Sequence, residues 1–418
     1  MFLWAAVVGA IVGVIGGVFR LGVGLVQEQL ALLYARAGSA GAPPWLFPVA
    51  CTAALAGLSI FLVRRYVPEA SGSGVQEIEG ALEGIRALRW QRVLPVKFLG
   101  GLLSLGSGMV LGREGPTIQL GGNTGKMIAD LVTSPTPVAR TLVAAGAGAG
   151  LTTAFNAPLA GILFVIEEMR PQFEYTFTSV QAVVIASAVA DVVVRMLTNQ
   201  GPVVPLTDLP PPALGALWLF PILGALFGAL GVVFNRCLVA ALDTFGGLQG
   251  WRGYMGGVSV GAVIGMLIWV YPSGTGGGEQ LIPLLSAATP PLALGLLFVV
   301  RFGATMLSYG CGAPGGIFAP MLALGTIFGL GFGHYAHAWF PMSVSHPGVF
   351  AVAGMGALFT VTVRAPITGI ILAVELTANY QQILPLLLTC VAATIVAELL
   401  GGKPIYTVLL QRTIERER

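Results

Sequence analysis

The chain has 418 residues, 56% of them hydrophobic and only 9% charged, with a mean hydropathy of +0.86. Soluble domains carry about 25% charged residues, so this composition excludes a soluble globular fold and describes an all-α, polytopic membrane protein. A formal net charge of +3 gives no ground for a nucleic-acid partner, and the scattered Lys and Arg read as juxtamembrane anchors.

The opening run MFLWAAVVGAIVGVIGGVF lacks a basic leader and reads as a span over 2–19, not a cleaved signal peptide. A second span follows at 46–63, and each approaches the roughly 20 apolar residues that a crossing helix needs. Arg64, Arg65, Arg86, Arg89, Arg92 and Lys97 then cluster, whereas the later loops TNQGPVVPLTDLPPP and FPMSVSHPG hold no Lys or Arg and the first holds only Asp208. The positive-inside rule makes the cluster cytoplasmic, together with the tail QRTIERER. Glu79, Glu83 and Arg86 fall at helical spacing and read as a solvated helix face. Further spans are expected at 213–234, 254–272 and 384–400.

Between these spans the chain is interrupted. SGSGVQ (71–76), GREGP (112–116) and GGIFAP (315–320) set glycine and proline inside apolar surroundings. Backbone freed at membrane depth must be buried in protein or line a wet cavity, so broken helices point to a transport pathway. Helix starts opened by glycine present unpaired N–H groups and the positive end of the macrodipole, which suits an anion. Cys51, Cys237, Cys311 and Cys390 have no CxxC spacing and read as free thiols. His334, His337 and His346 have no carboxylate beside them, so no metal site is expected.

The two halves of the chain repeat. Gly146/Gly354, Ala157/Ala365, Pro158/Pro366, Gly161/Gly369 and Glu167/Glu375 are all 208 positions apart. Gly72/Gly274 and Gly112/Gly312 pair at offsets of 202 and 200. The halves run from about 40 to 200 and from about 210 to 400, joined by a Pro-rich connector at 198–213. Matching breaks place a substrate site at the repeat interface near mid-membrane. Periodicity alone leaves open whether the halves are inverted or parallel.

GSGVQEIEG, GREGP, the GGIFAP segment, NAPLAGILFVIEEMRPQF and GGKPIY, in this order, resemble the CLC chloride channel and transporter family over nearly the whole chain, with prokaryotic chloride/proton antiporters nearest. The resemblance implies one transmembrane domain over 1–418 built from two inverted-topology halves with many tilted, broken helices. It also implies a homodimer whose subunits each have a pathway. Ser73 and Tyr406 would offer hydroxyls to a central chloride, joined by the backbone N–H groups of Ile317 and Phe318. Such neutral donors solvate an anion without holding it too tightly to pass.

By the same resemblance Glu114 is the gating glutamate, competing with chloride when ionised and carrying a proton on the outer side. Glu168 is the internal proton-transfer glutamate and favours coupled exchange over a passive channel. Within the family Ser73 with Pro116 resembles the chloride-type pattern, not the nitrate-favouring or fluoride-exporting one, and other small monovalent anions stay open as substrates. The plain alternatives are an Arg113 ion pair for Glu114 and an Arg170 pair for Glu168.

Three features depart from the family pattern. Gln76 stands where the common motif GSGIP has proline, and neither the family's N-terminal cytoplasmic helix nor a nucleotide-binding regulatory domain after GGKPIY is expected. The expected substrates are chloride and protons, with membrane lipid as the surroundings and a prokaryotic plasma membrane as the location. No cofactor is expected. An enzyme reading fails because no His lies in a glycine-rich break to activate Ser73. From the repeat alone, Glu167, which matches Glu375, is expected to be structural. Glu168 is expected to carry the proton along a small-residue face formed with Gly161 and Val165.

Overall fold

The computed structural model describes residues 1–169, 175–198, 201–206, 209–285 and 288–417; Arg170 and Asp208 lie outside them. Sixteen α-helices and no β-strand occur among the described residues. In chain order they are α1 (Phe2–Ser39), α2 (Leu46–Tyr66), α3 (Val75–Glu83), α4 (Trp90–Gly106), α5 (Glu114–Leu131), α6 (Thr136–Phe155), α7 (Pro158–Glu167) and α8 (Phe177–Leu197). Then come α9 (Leu219–Gly246), α10 (Trp251–Val270), α11 (Pro291–Gly310), α12 (Phe318–Trp339), α13 (Gly348–Val363), α14 (Pro366–Thr377), α15 (Ile383–Leu399) and α16 (Ile405–Glu417). Among the described residues eight helical stretches are long and apolar enough to cross a membrane, and the five expected spans match them to within two residues at the ends they overrun. The first span is longer than expected. With no proline before Pro43, the helix continues through Arg20, whose guanidinium donates to Asn156 Oδ1 at 3.1 Å, and ends only at Ser39.

Packing repeats the internal duplication. α5 packs on α6 as α12 packs on α13, and α1 packs on α8 as α9 packs on α15. By this packing α1 belongs with the first half, although the repeat read from sequence starts near residue 40. Small residues let backbones touch, as membrane helix interfaces require. A side chain on Gly121 would strike the carbonyl of Gly146, and one on Gly325 would strike the carbonyl of Gly354.

The halves are inverted. α2 and α10 occupy matching places in the repeat and lie against each other, with Gly265 on Pro48, Gly261 on Thr52, Gly257 on Ile60 and Gly253 on Arg64. One number rises as the other falls, so the two helices run antiparallel.

A second counterpart pair, α7 and α14, is locked by its carboxylates. Each helix begins with proline, leaving the following N–H groups without intrahelical acceptors. Glu167 accepts from the N–H groups of Ile367 (3.0 Å) and Thr368 (2.7 Å) and from the Thr368 hydroxyl (2.8 Å). Glu375 in turn accepts from Leu159 (3.1 Å) and Ala160 (2.8 Å). Each half therefore caps a helix of the other, the structural task that the repeat assigns to Glu167.

Glu375→Ala removes the acceptor from two N–H groups at a helix start, a loss of about 1–3 kcal/mol. We expect a lower thermal-unfolding midpoint in detergent, with transport by the folded fraction retained. A midpoint equal to that of the unmutated protein would contradict the capping role.

Two charge assignments from the sequence need correction. Lys97 is no juxtamembrane anchor but is fully buried in α4. Glu79 is not on a solvated face, since only 3% of it is exposed and it lies within electrostatic reach of Glu168 and Glu83. Glu83 is exposed as expected, but Glu79 turns inward, and Arg86 lies beyond the end of α3, where it pairs with buried Glu77 at 2.8 Å.

Candidate functional site

The three glycine-rich breaks become helix starts. Gly74, at φ +80°, turns the chain into α3, Arg113 precedes α5 and Ile317 precedes α12. They are bound to one another: Gly315 N–H donates to Gly72 O at 2.9 Å, and Gly112 and Gly316 exchange bonds of 2.8 and 2.6 Å. Gly115 has room for no side chain, because a Cβ there would press on Ser73 and Gly316. The breaks thus assemble one site from both halves.

Two buried cations that the sequence reading did not single out hold the loops. Lys97 Nζ donates to the carbonyls of Ala70 (3.0 Å) and Gly72 (2.7 Å). Arg301, 204 positions later, donates to Ser273 (2.9 Å), Thr275 (2.9 Å) and Gly276 (2.8 Å). Both side chains neutralise the negative ends of loop peptides, leaving the N–H ends to set the local potential. A signal was present: an ionisable residue within an apolar helix is a functional candidate, and both follow a glycine-rich loop at similar spacing.

Glu114 is fully buried at the first position of α5, and its Oε1 accepts the N–H of Phe318 at 2.7 Å and that of Ala319 at 3.4 Å. The carboxylate thus occupies the start of α12, the position expected for an anion. Arg113 does not pair with it; the guanidinium meets Glu279 at 2.6 Å and donates to Ala154 O at 2.8 Å. Ser73, Ile317, Phe318 and Tyr406 are likewise fully buried. The Phe318 and Tyr406 rings are 6.0 Å apart, and Tyr406 Oη has no hydrogen-bond partner among the described residues. Tyr309, unforeseen from sequence, accepts the Ser73 N–H at 3.4 Å.

Glu168 closes α7 and is half-buried, with Tyr406 within electrostatic reach of both it and Glu114. Phe164 of α7 packs on Phe318, and Phe318 on Phe359, with ring centroids 5.8 and 4.7 Å apart. The small-residue face expected along Gly161 and Val165 is not open. α6 fills it with Gly148 and Thr152, and Val165 is fully buried.

Two cavities flank the site. One, of about 570 Å³, reaches Gly72, Gln76 and Tyr309 and is lined by Arg86, Arg89 and Arg412. It thereby brings the two basic regions assigned to the cytoplasmic side onto one face. The other, of about 260 Å³, opens beside Gly112 and Arg113.

A family model described as voltage gated chloride channel matches residues 55–398. The H(+)/Cl(-) exchange transporter ClcA of Vibrio parahaemolyticus is 50% identical over 424 residues, covering 100% of this chain and 91% of its own. The ClcA of Vibrio cholerae is 51% identical, covering 98% and 89%. Among solved structures, a slow cyanobacterial Cl-/H+ antiporter superimposes with a TM-score of 0.95 at 43% identity, covering 99% of this chain and 98% of its own. A CLC-type fluoride/proton antiporter shares the fold, with a TM-score of 0.76 at 19% identity, covering 97% and 96%.

Proposed function

The chain belongs to the voltage gated chloride channel family, and from that premise we infer that it is a secondary transporter, an integral multi-pass membrane protein exchanging chloride for protons. The observation that carries the reading is Glu114 Oε1 on the Phe318 amide at 2.7 Å, an anion tethered at the anion-receiving end of a helix.

Chloride arrives through the 570 Å³ inner cavity, whose wall reaches Gly72 and Tyr309, and beyond that wall Ser73, Tyr406 and the amides of Ile317 and Phe318 receive it. Glu114 must leave those amides for chloride to pass outward. Protonation removes its charge and with it most of its attraction to the helix start, so one side chain alternates between ligand and proton carrier. The proton passes between Glu114 and Glu168 across the aromatic rings, with the Tyr406 phenol beside the route. The protein carries out no covalent chemistry and needs no cofactor. It resides in a prokaryotic plasma membrane, surrounded by lipid.

The functional unit is a homodimer. Supporting this, the Glu167–Glu375 caps lie beside exposed apolar side chains of α7 and α14, Leu159 and Ile367 being 52% and 55% exposed. The test of exchange is a chloride gradient across proteoliposomes containing purified protein. It is expected to drive protons uphill. Rapid chloride movement with no proton movement would replace exchange by a passive channel.

A further inference from the structure

The exchange cycle gives Gln76 no task, yet it occupies a place no bystander would. It lies in the first turn of α3, half-buried, lining the inner cavity beside Gly72 and Tyr309. Its Oε1 is 3.4 Å from Ser73 Oγ. Ser73 Oγ already accepts the Val75 N–H at 3.2 Å, so the proton of the hydroxyl is the one directed at Gln76. At that length the bond is well beyond the usual 2.7–2.8 Å of an O–H donor and is easily exchanged.

The cavity's cations are engaged elsewhere. Arg86 pairs with Glu77 at 2.8 Å, Arg412 with Asp243 at 2.6 Å, and Arg89 faces Glu69 at 3.9 Å. Gln76 and Tyr309 are the neutral donor-bearing side chains of the cavity wall that reach Ser73, and of the two it is Gln76 that takes the Ser73 hydroxyl. A carboxamide carries an acceptor and two N–H donors on one flexible stem, and such donors solvate a halide without a full charge.

We propose that Gln76 is a ligand-exchange residue for chloride at the inner mouth: its carbonyl oxygen holds the Ser73 hydroxyl until an anion arrives, and its N–H groups then replace part of the ion's water. The hydroxyl turns from the amide to the ion as the ion moves inward. Proline, the residue common at this place in the resemblance drawn above, offers neither group. In this chain the last dehydration step is thus shared between Gln76 and Ser73. The inference rests on the reading of Ser73 as a chloride ligand.

The experiment compares unmutated protein with Gln76→Ala, Gln76→Asn and Gln76→Glu, each confirmed monodisperse before reconstitution. Chloride turnover is measured in proteoliposomes as chloride is varied, and proton movement is followed in the same vesicles. Gln76→Ala should raise the half-saturating chloride concentration by about 2- to 10-fold without changing protons moved per chloride. Gln76→Glu keeps the acceptor for Ser73 but adds a negative charge, and should raise it further. Gln76→Asn, a shorter amide, should fall between the unmutated protein and alanine.

Half-saturation within twofold of the unmutated value in all three variants would overturn the proposal. So would a changed proton ratio at unchanged half-saturation, which would mark an effect through the α3 backbone. Failure of the exchange reading looks different: the unmutated protein would itself move chloride without protons, while its chloride half-saturation could still be compared with that of the variants.

Discussion

Glu114→Ala is expected to leave chloride flux running and to reduce coupled proton movement to the background of protein-free vesicles. The native carboxylate is fully buried and takes the Phe318 and Ala319 N–H groups at 2.7 and 3.4 Å, the same donors an anion at this helix start would use. Alanine vacates those donors and carries no proton, so the anion route stays open while its competitor and its proton carrier both vanish. Arg113 should stay in place, because its partners are Glu279 and Ala154 O. Folding should therefore survive. The measurement is paired chloride and proton flux under a chloride gradient. Uphill proton pumping retained by Glu114→Ala would remove the residue from both roles.

Glu168→Gln should likewise abolish proton transport while chloride continues, and Glu167→Gln should not. The neighbours have different work. Glu167 is consumed by three hydrogen bonds to α14, whereas Glu168 is half-buried at the end of α7, within electrostatic reach of Tyr406 and of buried Glu79. Glutamine keeps the size of the side chain and removes its exchangeable charge. For Glu167→Gln one amide oxygen still accepts, so a loss of about 1 kcal/mol in stability is expected, read as a lower melting midpoint with coupling intact. The assignment is wrong if the folded Glu168 variant pumps protons at the unmutated rate while the Glu167 variant does not.

The sequence made some of this site legible, and physics explains where it stopped. Glycine and proline within apolar runs mark breaks whatever surrounds them, so SGSGVQ, GREGP and GGIFAP read correctly as helix starts, and the offset of 208 exposed the Glu167/Glu375 pair. What a side chain faces depends on elements distant in the chain. Nothing near Lys97 shows that its ammonium ends on the carbonyls of Ala70 and Gly72, and nothing near Glu79 shows that α3 turns it inward. The Gly161 face misled for the same reason. Small residues at helical spacing serve an open channel and a close helix contact equally well, and α6 takes that space. Tyr309 had no local signal at all, since it reaches Ser73 from 236 positions away.

The interlocking of the halves also sets a timetable for biogenesis. Leu159 and Ala160 emerge from the ribosome 216 and 215 residues before the carboxylate that will cap them, and Glu114 emerges 204 residues before the amide that will receive it. Throughout that interval the first half sits in the membrane with bare helix starts and a glutamate without its seat. Completion of the second half is thus the event that closes the first, and a nascent chain stalled before residue 318 would offer quality-control proteases an exposed polar defect at membrane depth.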